Sequence, residues 1–248
     1  AGVKQQGLDD VVVIALAPGT RTAALFTQND FRAAPVILAL KHLAFSEALP
    51  SYLLINTGNA NAGTGDAGMA AALSCCERLA ALTETPAESV LPFSTGVIGE
   101  PLPSDLIAAA LPAAIDDLRQ DNWRRASGAI LTTDTQPKLH SLEVDLAGQS
   151  CRITGIAKGA GMVCPDMATM LSFVATDAAI DADLLDELLR AAVDASLNRI
   201  TVDGDTSTND AVTLSATGQS GVKIEAGSTQ ADQFADALTT VMIQLAQD

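Results

Sequence analysis

The chain has 248 residues, 48% of them hydrophobic, and a formal net charge of −16. That length allows one large domain or two smaller ones, and with only eight aromatic residues the core must be built from Ala, Val, Leu and Ile. The acidic balance works against binding nucleic acid or an anionic membrane surface, both of which would repel the chain, and no apolar run nears the ~18 residues of a membrane-spanning helix.

In chain order, Val11 to Leu16 is a β-branched run that stops at Pro18-Gly19, which predicts a buried strand. Thr22 to Phe26 predicts a second strand, Pro35 to Glu47 a helix by its apolar spacing, and Tyr52 to Ile55 another buried strand. Gly68 to Leu82, rich in Ala and Leu, predicts a helix ending near Thr83-Glu84-Thr85-Pro86. Ser104 is the expected N-cap of a helix through Leu118, with Pro112 expected to kink or break it. Leu139 to Val144 and Cys151 to Ile156 alternate apolar and polar residues around Ala147-Gly148-Gln149, a hairpin signal. Met170 to Ala175 predicts a strand. Asp181 to Leu197 predicts an amphipathic helix with Leu184, Leu185, Leu188 and Val193 inward, and Gln230 to Gln247 a last helix. The irregular alternation of strands and helices fits a mixed α/β (α+β) domain rather than a regular βαβ repeat.

Metal and thiol chemistry have little support. Cys75, Cys76, Cys151 and Cys164 form no Cys-x-x-Cys pair, and His42 and His140 are the only imidazoles, so no zinc site is expected. The histidines and Cys164 are read as structural. Free thiols and the lack of a signal-peptide pattern predict a reducing, cytoplasmic setting.

Two motifs look like known binding loops and fail on spacing. Gly63-Thr64-Gly65-Asp66-Ala67-Gly68 matches the dinucleotide pattern G-x-G-x-x-G, yet seven residues separate its first glycine from the strand ending at Ile55. It is read as a turn-rich loop. Asp203 to Asp210 has the look of a calcium loop, but its sixth and twelfth positions are Thr208 and Leu214 where glycine and glutamate are needed. A network of short polar side chains is the expectation there.

The most informative stretch is Lys158-Gly159-Ala160-Gly161-Met162-Val163-Cys164-Pro165-Asp166-Met167-Ala168-Thr169-Met170-Leu171. A threonine hydroxyl needs a base at hydrogen-bond distance. Cutting the chain before Thr169 would supply its own α-amine, which titrates near ~8, and an N-terminal threonine is a known variant of triad logic. The Ala168-Thr169 bond is therefore the candidate self-cleavage site. Ser94-Thr95-Gly96 after an apolar run reads either as a turn or as a close backbone approach to a ligand. Lys158 reads either as a solvated lysine or as a cation for a substrate carboxylate.

This segment, with Ile55-Asn56-Thr57-Gly58-Asn59-Ala60-Asn61-Ala62-Gly63-Thr64-Gly65, Ser94-Thr95-Gly96-Val97-Ile98-Gly99, Thr132-Thr133-Asp134-Thr135-Gln136-Pro137-Lys138 and Thr201 to Asp210, resembles the blocks of the ornithine acetyltransferase (glutamate N-acetyltransferase) family of arginine biosynthesis, in that family's order. The resemblance covers nearly the whole chain. It implies stacked sheets between helical layers, and self-cleavage into an α-chain-like portion, 1–168, and a β-chain-like portion, 169–248, that stay associated as a hetero-oligomer. It implies Thr169 as nucleophile, the Thr95 hydroxyl and Gly96 amide as oxyanion donors, Thr132 and Lys158 as substrate contacts, and a role for Asp203 to Asp210 in supporting the active centre. The motif leaves open which of its three threonines faces the site. The implied reaction moves an acetyl group from N-acetylornithine to glutamate through an acetyl-Thr169 ester, with no metal or cofactor, and some members also use acetyl-CoA. The family extends past residue 248, so the chain reads as part of a longer protein. Rival readings are a self-processing amidase or aminopeptidase, with water as acceptor, and a non-catalytic relative.

Overall fold

The structure, a computed structural model, describes residues 1–45, 49–160, 170–200 and 206–248. Val11–Ala15 (β1), Tyr52–Asn59 (β3) and Val90–Val97 (β4) form one sheet in the order β1-β3-β4, with β1 antiparallel and β4 parallel to β3. Arg21–Phe26 (β2), Lys138–Leu146 (β5), Gln149–Lys158 (β6), Leu171–Thr176 (β7) and Ala211–Ala216 (β9) form a second, in the order β2-β9-β7-β6-β5. Ala179–Ile180 (β8) and Lys223–Ile224 (β10) make a short parallel pair.

Alternation along the strands sorts residues into three apolar layers. Val13, Leu54 and Val90 face outward onto helices Ala34–Leu43 (α1), Gly65–Thr83 (α2) and Ser104–Asp116 (α3), meeting Leu38, Cys76, Leu79 and Leu111. Their neighbours Leu53, Ile55, Leu91 and Phe93 face the other sheet, against Ile156, Leu171 and Phe173. The far face of the second sheet, with Ile153, Val174, Val212 and Leu214, is covered by Ala182–Ala195 (α5) and Thr229–Gln247 (α6). Two sheets are thus stacked between helical layers, as the resemblance implied. Because β3 is buried on both faces and β1 packs apolar residues into both layers, they read as apolar runs rather than alternating ones. Aromatic residues concentrate at the sheet–sheet contact: Phe93 stacks on Phe26 at 6.4 Å and meets Phe173 edge-on at 5.0 Å.

Several expectations are corrected. Ser104 is the first helical residue of α3, with Pro103 at the cap position and no side-chain cap bond, and α3 runs through Pro112 to Asp116. The helix is held by Ile107 and Leu111 in the apolar layer, so packing outweighs the missing amide. α1 closes at Leu43; residues 46–48 at its expected end lie outside the described residues. On α5 the buried stripe is Leu185, Leu188, Leu189, Ala192 and Val193, the i, i+3, i+4, i+7, i+8 pattern of one helix face, with Leu184 at its margin. The last helix begins a residue earlier than expected, where the Ser228 hydroxyl accepts from the Ala231 amide at 3.1 Å. β4, β9 and the short helix Trp123–Ala129 (α4) were not foreseen as elements.

The asparagine-rich loop is also shorter than expected. β3 continues to Asn59, so three residues, not seven, precede Gly63. Its side chains are spent on the loop itself: Asn59 accepts from the Asn61 amide at 2.7 Å, and Asn61 donates to the Gly68 carbonyl at 2.9 Å. Burial pushes the Cys75 and Cys151 thiols up to about 11 and Cys76 further, so these three behave as apolar fillers.

Candidate active site

The two sheets bring their strand ends together at one place. On β4 the inward residues Leu91 and Phe93 are followed, two residues on, by Thr95; on β6 the inward Ile156 is followed by Lys158. The period of two therefore points both polar residues into the space between the sheets, at the end of an apolar layer. Lys158 Nζ donates to Thr95 Oγ1 at 3.1 Å, and both side chains are buried. With its oxygen accepting from the lysine, the threonine hydroxyl has its own proton left to donate elsewhere.

Lys158 pairs with Leu171 across β6 and β7, and Leu171 pairs with Ala211 across β7 and β9. The start of β7 is pinned twice. The Met170 amide donates to Asp210 Oδ1 at 2.9 Å, and the Met170 carbonyl accepts from the Ala211 amide at 3.0 Å. Asn209 reaches across to the other sheet, donating to the Ala60 and Ser94 carbonyls at 2.7 and 2.9 Å, while Ser94 donates to Asn56 Oδ1 at 2.6 Å. Ser207 to Asp210, all buried, therefore form a strut between the sheets.

Gly96 follows Thr95 with φ +136°, and a Cβ there would overlap the backbone of Gly58 and Asn59. β4 is the edge strand of its sheet, where alternate amides have no strand partner. Thr132 lies in the turn before β5, its amide donating to Asp134 Oδ2 at 3.2 Å. Thr133 and Thr135 in the same turn are exposed. A cavity of about 260 Å³ lies alongside, lined in part by Asp134, Lys138, Gly159, Met170 and Ile200. Two hollows beside β1, of about 230 and 360 Å³, share no residue with this cluster.

The family described as ArgJ matches residues 1–248. This chain belongs to the ArgJ family. An arginine biosynthesis bifunctional protein ArgJ of Methylococcus capsulatus is 52% identical over the whole of this chain, which spans 60% of that protein's length. The solved ornithine acetyltransferase of Mycobacterium tuberculosis, complexed with ornithine, is 28% identical with a TM-score of 0.52, over 68% of this chain and 88% of that one. An L-aminopeptidase D-Ala-esterase/amidase of Ochrobactrum anthropi, described as a variant of the Ntn hydrolase fold, aligns over 96% of this chain and 84% of its own at a TM-score of 0.50 and 12% identity, a likeness of fold alone.

In this ArgJ-family chain the expected residues Thr95, Gly96, Lys158 and Thr132 all have described positions, and the first three adjoin one another. Ala168 and Thr169 lie outside the described residues, as do Cys164 and Asp203-Gly204-Asp205. His42 is buried, 2.7 Å from the Val90 carbonyl, and His140 meets Asp248 at 2.8 Å, structural contacts as anticipated. Among the described residues no cluster of His, Cys, Asp or Glu is arranged to hold a metal ion, and no helix is long and apolar enough to cross a membrane.

The contacts of three motif residues, Asp134, Asn209 and Asp210, emerged only from the structure. Asp210 is 1% exposed, and its Oδ2 has no hydrogen-bond partner among the described residues. Burial pushes its carboxyl up to about 7, against the pull of its bond from Met170 and of Lys158. A carboxyl raised in the folded state favours folding while protonated, so its contribution is fully present below ~4 and is lost as the pH rises through about 7. A three-unit elevation corresponds to about 4 kcal/mol. Asp210→Asn keeps an oxygen for the Met170 amide but never ionises. Urea unfolding should find the two proteins similar near pH 4 and the substituted one progressively more stable toward pH 8. A gap that does not vary with pH would show that Asp210 does not titrate in this range.

Proposed function

We propose that the full protein is a self-processing acetyltransferase that moves the acetyl group of N-acetylornithine to glutamate. The observation that carries this reading is the 3.1 Å contact between Lys158 Nζ and Thr95 Oγ1. It joins a hydroxyl free to donate and a buried cation beside the strand that opens at Leu171, two residues after Thr169. Membership of the ArgJ family, with a solved relative that holds ornithine, supports this substrate class.

Processing begins with the Thr169 hydroxyl attacking the Ala168 carbonyl carbon. The Ala168–Thr169 C–N bond breaks, an ester forms and the released amine takes up a proton. Water then hydrolyses the ester, leaving an Ala168 carboxylate and a Thr169 with both hydroxyl and amine. The portions 1–168 and 169–248 stay associated as the two kinds of chain of a hetero-oligomer, since β7 and β9 lie between β6 and β2 in one sheet. In transfer, Thr169 Oγ attacks the acetyl carbon while its amine accepts the proton. The Thr95 hydroxyl and Gly96 amide stabilise the oxyanion, and Lys158, with a Thr132 contact, holds the substrate. The proton returns to the departing ornithine nitrogen, and the glutamate amine then takes the acetyl group from the ester. The reaction uses side chains and backbone without a cofactor, acetyl-CoA is an alternative donor, and the reducing cytoplasm is the setting.

The test is an intact-mass spectrum under denaturing conditions, followed by product analysis with and without glutamate. Species ending at Ala168 and beginning at Thr169, with N-acetylglutamate formed only when glutamate is present, are the expected result. Acetate released at the same rate without glutamate would instead make the protein an amidase. Thr95→Val should lower kcat for transfer by ~100- to 1,000-fold, because it removes the donor and the hydrogen bond that Lys158 makes to it. A kcat within threefold of the unsubstituted value would remove Thr95 from the oxyanion site.

A further inference from the structure

We propose that Asp134, working with Lys138, is a positioning residue that fixes both the place and the charge of Lys158 for a substrate carboxylate. This inference rests on the reaction proposed above. The peptide that follows Lys158 is held at both of its polar ends. The Gly159 amide donates to Asp134 Oδ1 at 2.6 Å, and the Gly159 carbonyl accepts from Lys138 Nζ at 2.7 Å. The two clamping side chains are themselves an ion pair at 3.9 Å, 1% and 9% exposed. Gly159 has φ +149°, a conformation favoured by glycine alone, and the clamp selects it from the many that a glycine can adopt. The other oxygen of Asp134 takes the Thr132 amide. One carboxylate therefore ties together the two segments that carry the candidate substrate contacts.

The electrostatics follow the same geometry. Lys158 is 3% exposed, and a buried ammonium tends to shed its proton. Burial draws Lys158 down, Asp134 and then Asp210 push it back up, and Lys138 and Lys4 draw it down further. These four are the charged groups acting on it among the described residues. Asp134 is the strongest influence keeping the lysine charged. Lys138 offsets the carboxylate, so that the site does not present a net negative charge to an incoming carboxylate. A small acid such as an N-acylated amino acid is the ligand class this suits.

The two partners act on Lys158 with opposite signs, which separates positioning from general loosening of the fold. The Lys158 titration can be followed in the whole chain by NMR of lysines labelled at the ε-carbon, assigned with Lys158→Arg. Asp134→Asn should lower the Lys158 midpoint by about one pH unit and Lys138→Met should raise it. In steady-state assays Asp134→Asn should raise KM for N-acetylornithine about tenfold and change kcat less than threefold. An unmoved Lys158 midpoint, or movement in the same direction in both variants, would overturn the proposal. If Asp134→Asn does not fold, the Lys138→Met midpoint decides alone: a rise sustains the clamp and no change rejects it. An unsubstituted protein that transfers no acetyl group would sink the reaction itself, while the NMR titration would still decide the clamp.

Discussion

Thr169→Ala leaves a single uncut chain with no acetyl transfer above background. The substitution removes an atom that the proposed mechanism uses twice: the hydroxyl oxygen attacks the preceding carbonyl in processing and the acetyl carbon in turnover. It also keeps the amine locked in a peptide bond, so the base is lost with the nucleophile. Residues that act as one unit fail together, and a loss of at least ~1,000-fold in kcat is expected. Thr169→Ser, which retains a hydroxyl, should recover part of the cutting and, in the cut fraction, part of the transfer. An intact-mass spectrum of Thr169→Ala showing a cut at this bond would move the nucleophile elsewhere.

Gly96→Ala should be nearly as damaging, for a steric reason. The backbone at Gly96 sits at φ +136°, and the added Cβ would overlap Gly58 and Asn59 on the neighbouring strand. Little free space lies beyond Gly58, where an added Cβ would come within 2.6 Å of the Lys4 backbone. Strain of this type costs ~1–3 kcal/mol for the dihedral alone, and displacing β4 from β3 adds to it, so a loss of about 3–5 kcal/mol is expected. Thr95 moves with its neighbour, so kcat should also fall ~100-fold or more. Chemical denaturation beside a transfer assay checks both. An unchanged midpoint would mean that β4 has room to shift, contrary to the packing described.

The sequence made the doubly buried strands easy to find and hid the rest for physical reasons. Val11 to Leu16 and Tyr52 to Ile55 announce themselves because both faces of β1 and β3 are apolar. β4 is interrupted by Pro92 and ends in Ser94-Thr95-Gly96, so its second half reads as a turn until its pairing with β3 is seen. β9 is five small or β-branched residues and one leucine behind a polar run, too weak a signal alone. Ser104 has the chemistry of a cap but stands one residue too late, since Pro103 takes that position. For the site, the motif residues were legible and their supports were not. Lys158 and Thr95 are 63 residues apart, and Asn209 reaches Ala60 across 149. No local spacing encodes such contacts, although Asp134, inside a motif of short polar residues, and the run ending in Asp210 were visible as unusual.

The pairing of Arg21 with Ala216 and Phe26 with Ala211 sets the order in which this molecule can come into being. During synthesis β2 emerges early and has no strand to bond until almost the entire chain has followed, because its neighbour in the second sheet is β9. Such distant pairing is slow to form, and an unpaired apolar strand is open to wrong partners while it waits. The start of β7 shares the delay: the Met170 amide meets Asp210 only once β9 has entered the sheet, so the middle of the second sheet is among the last parts of the molecule to be fixed.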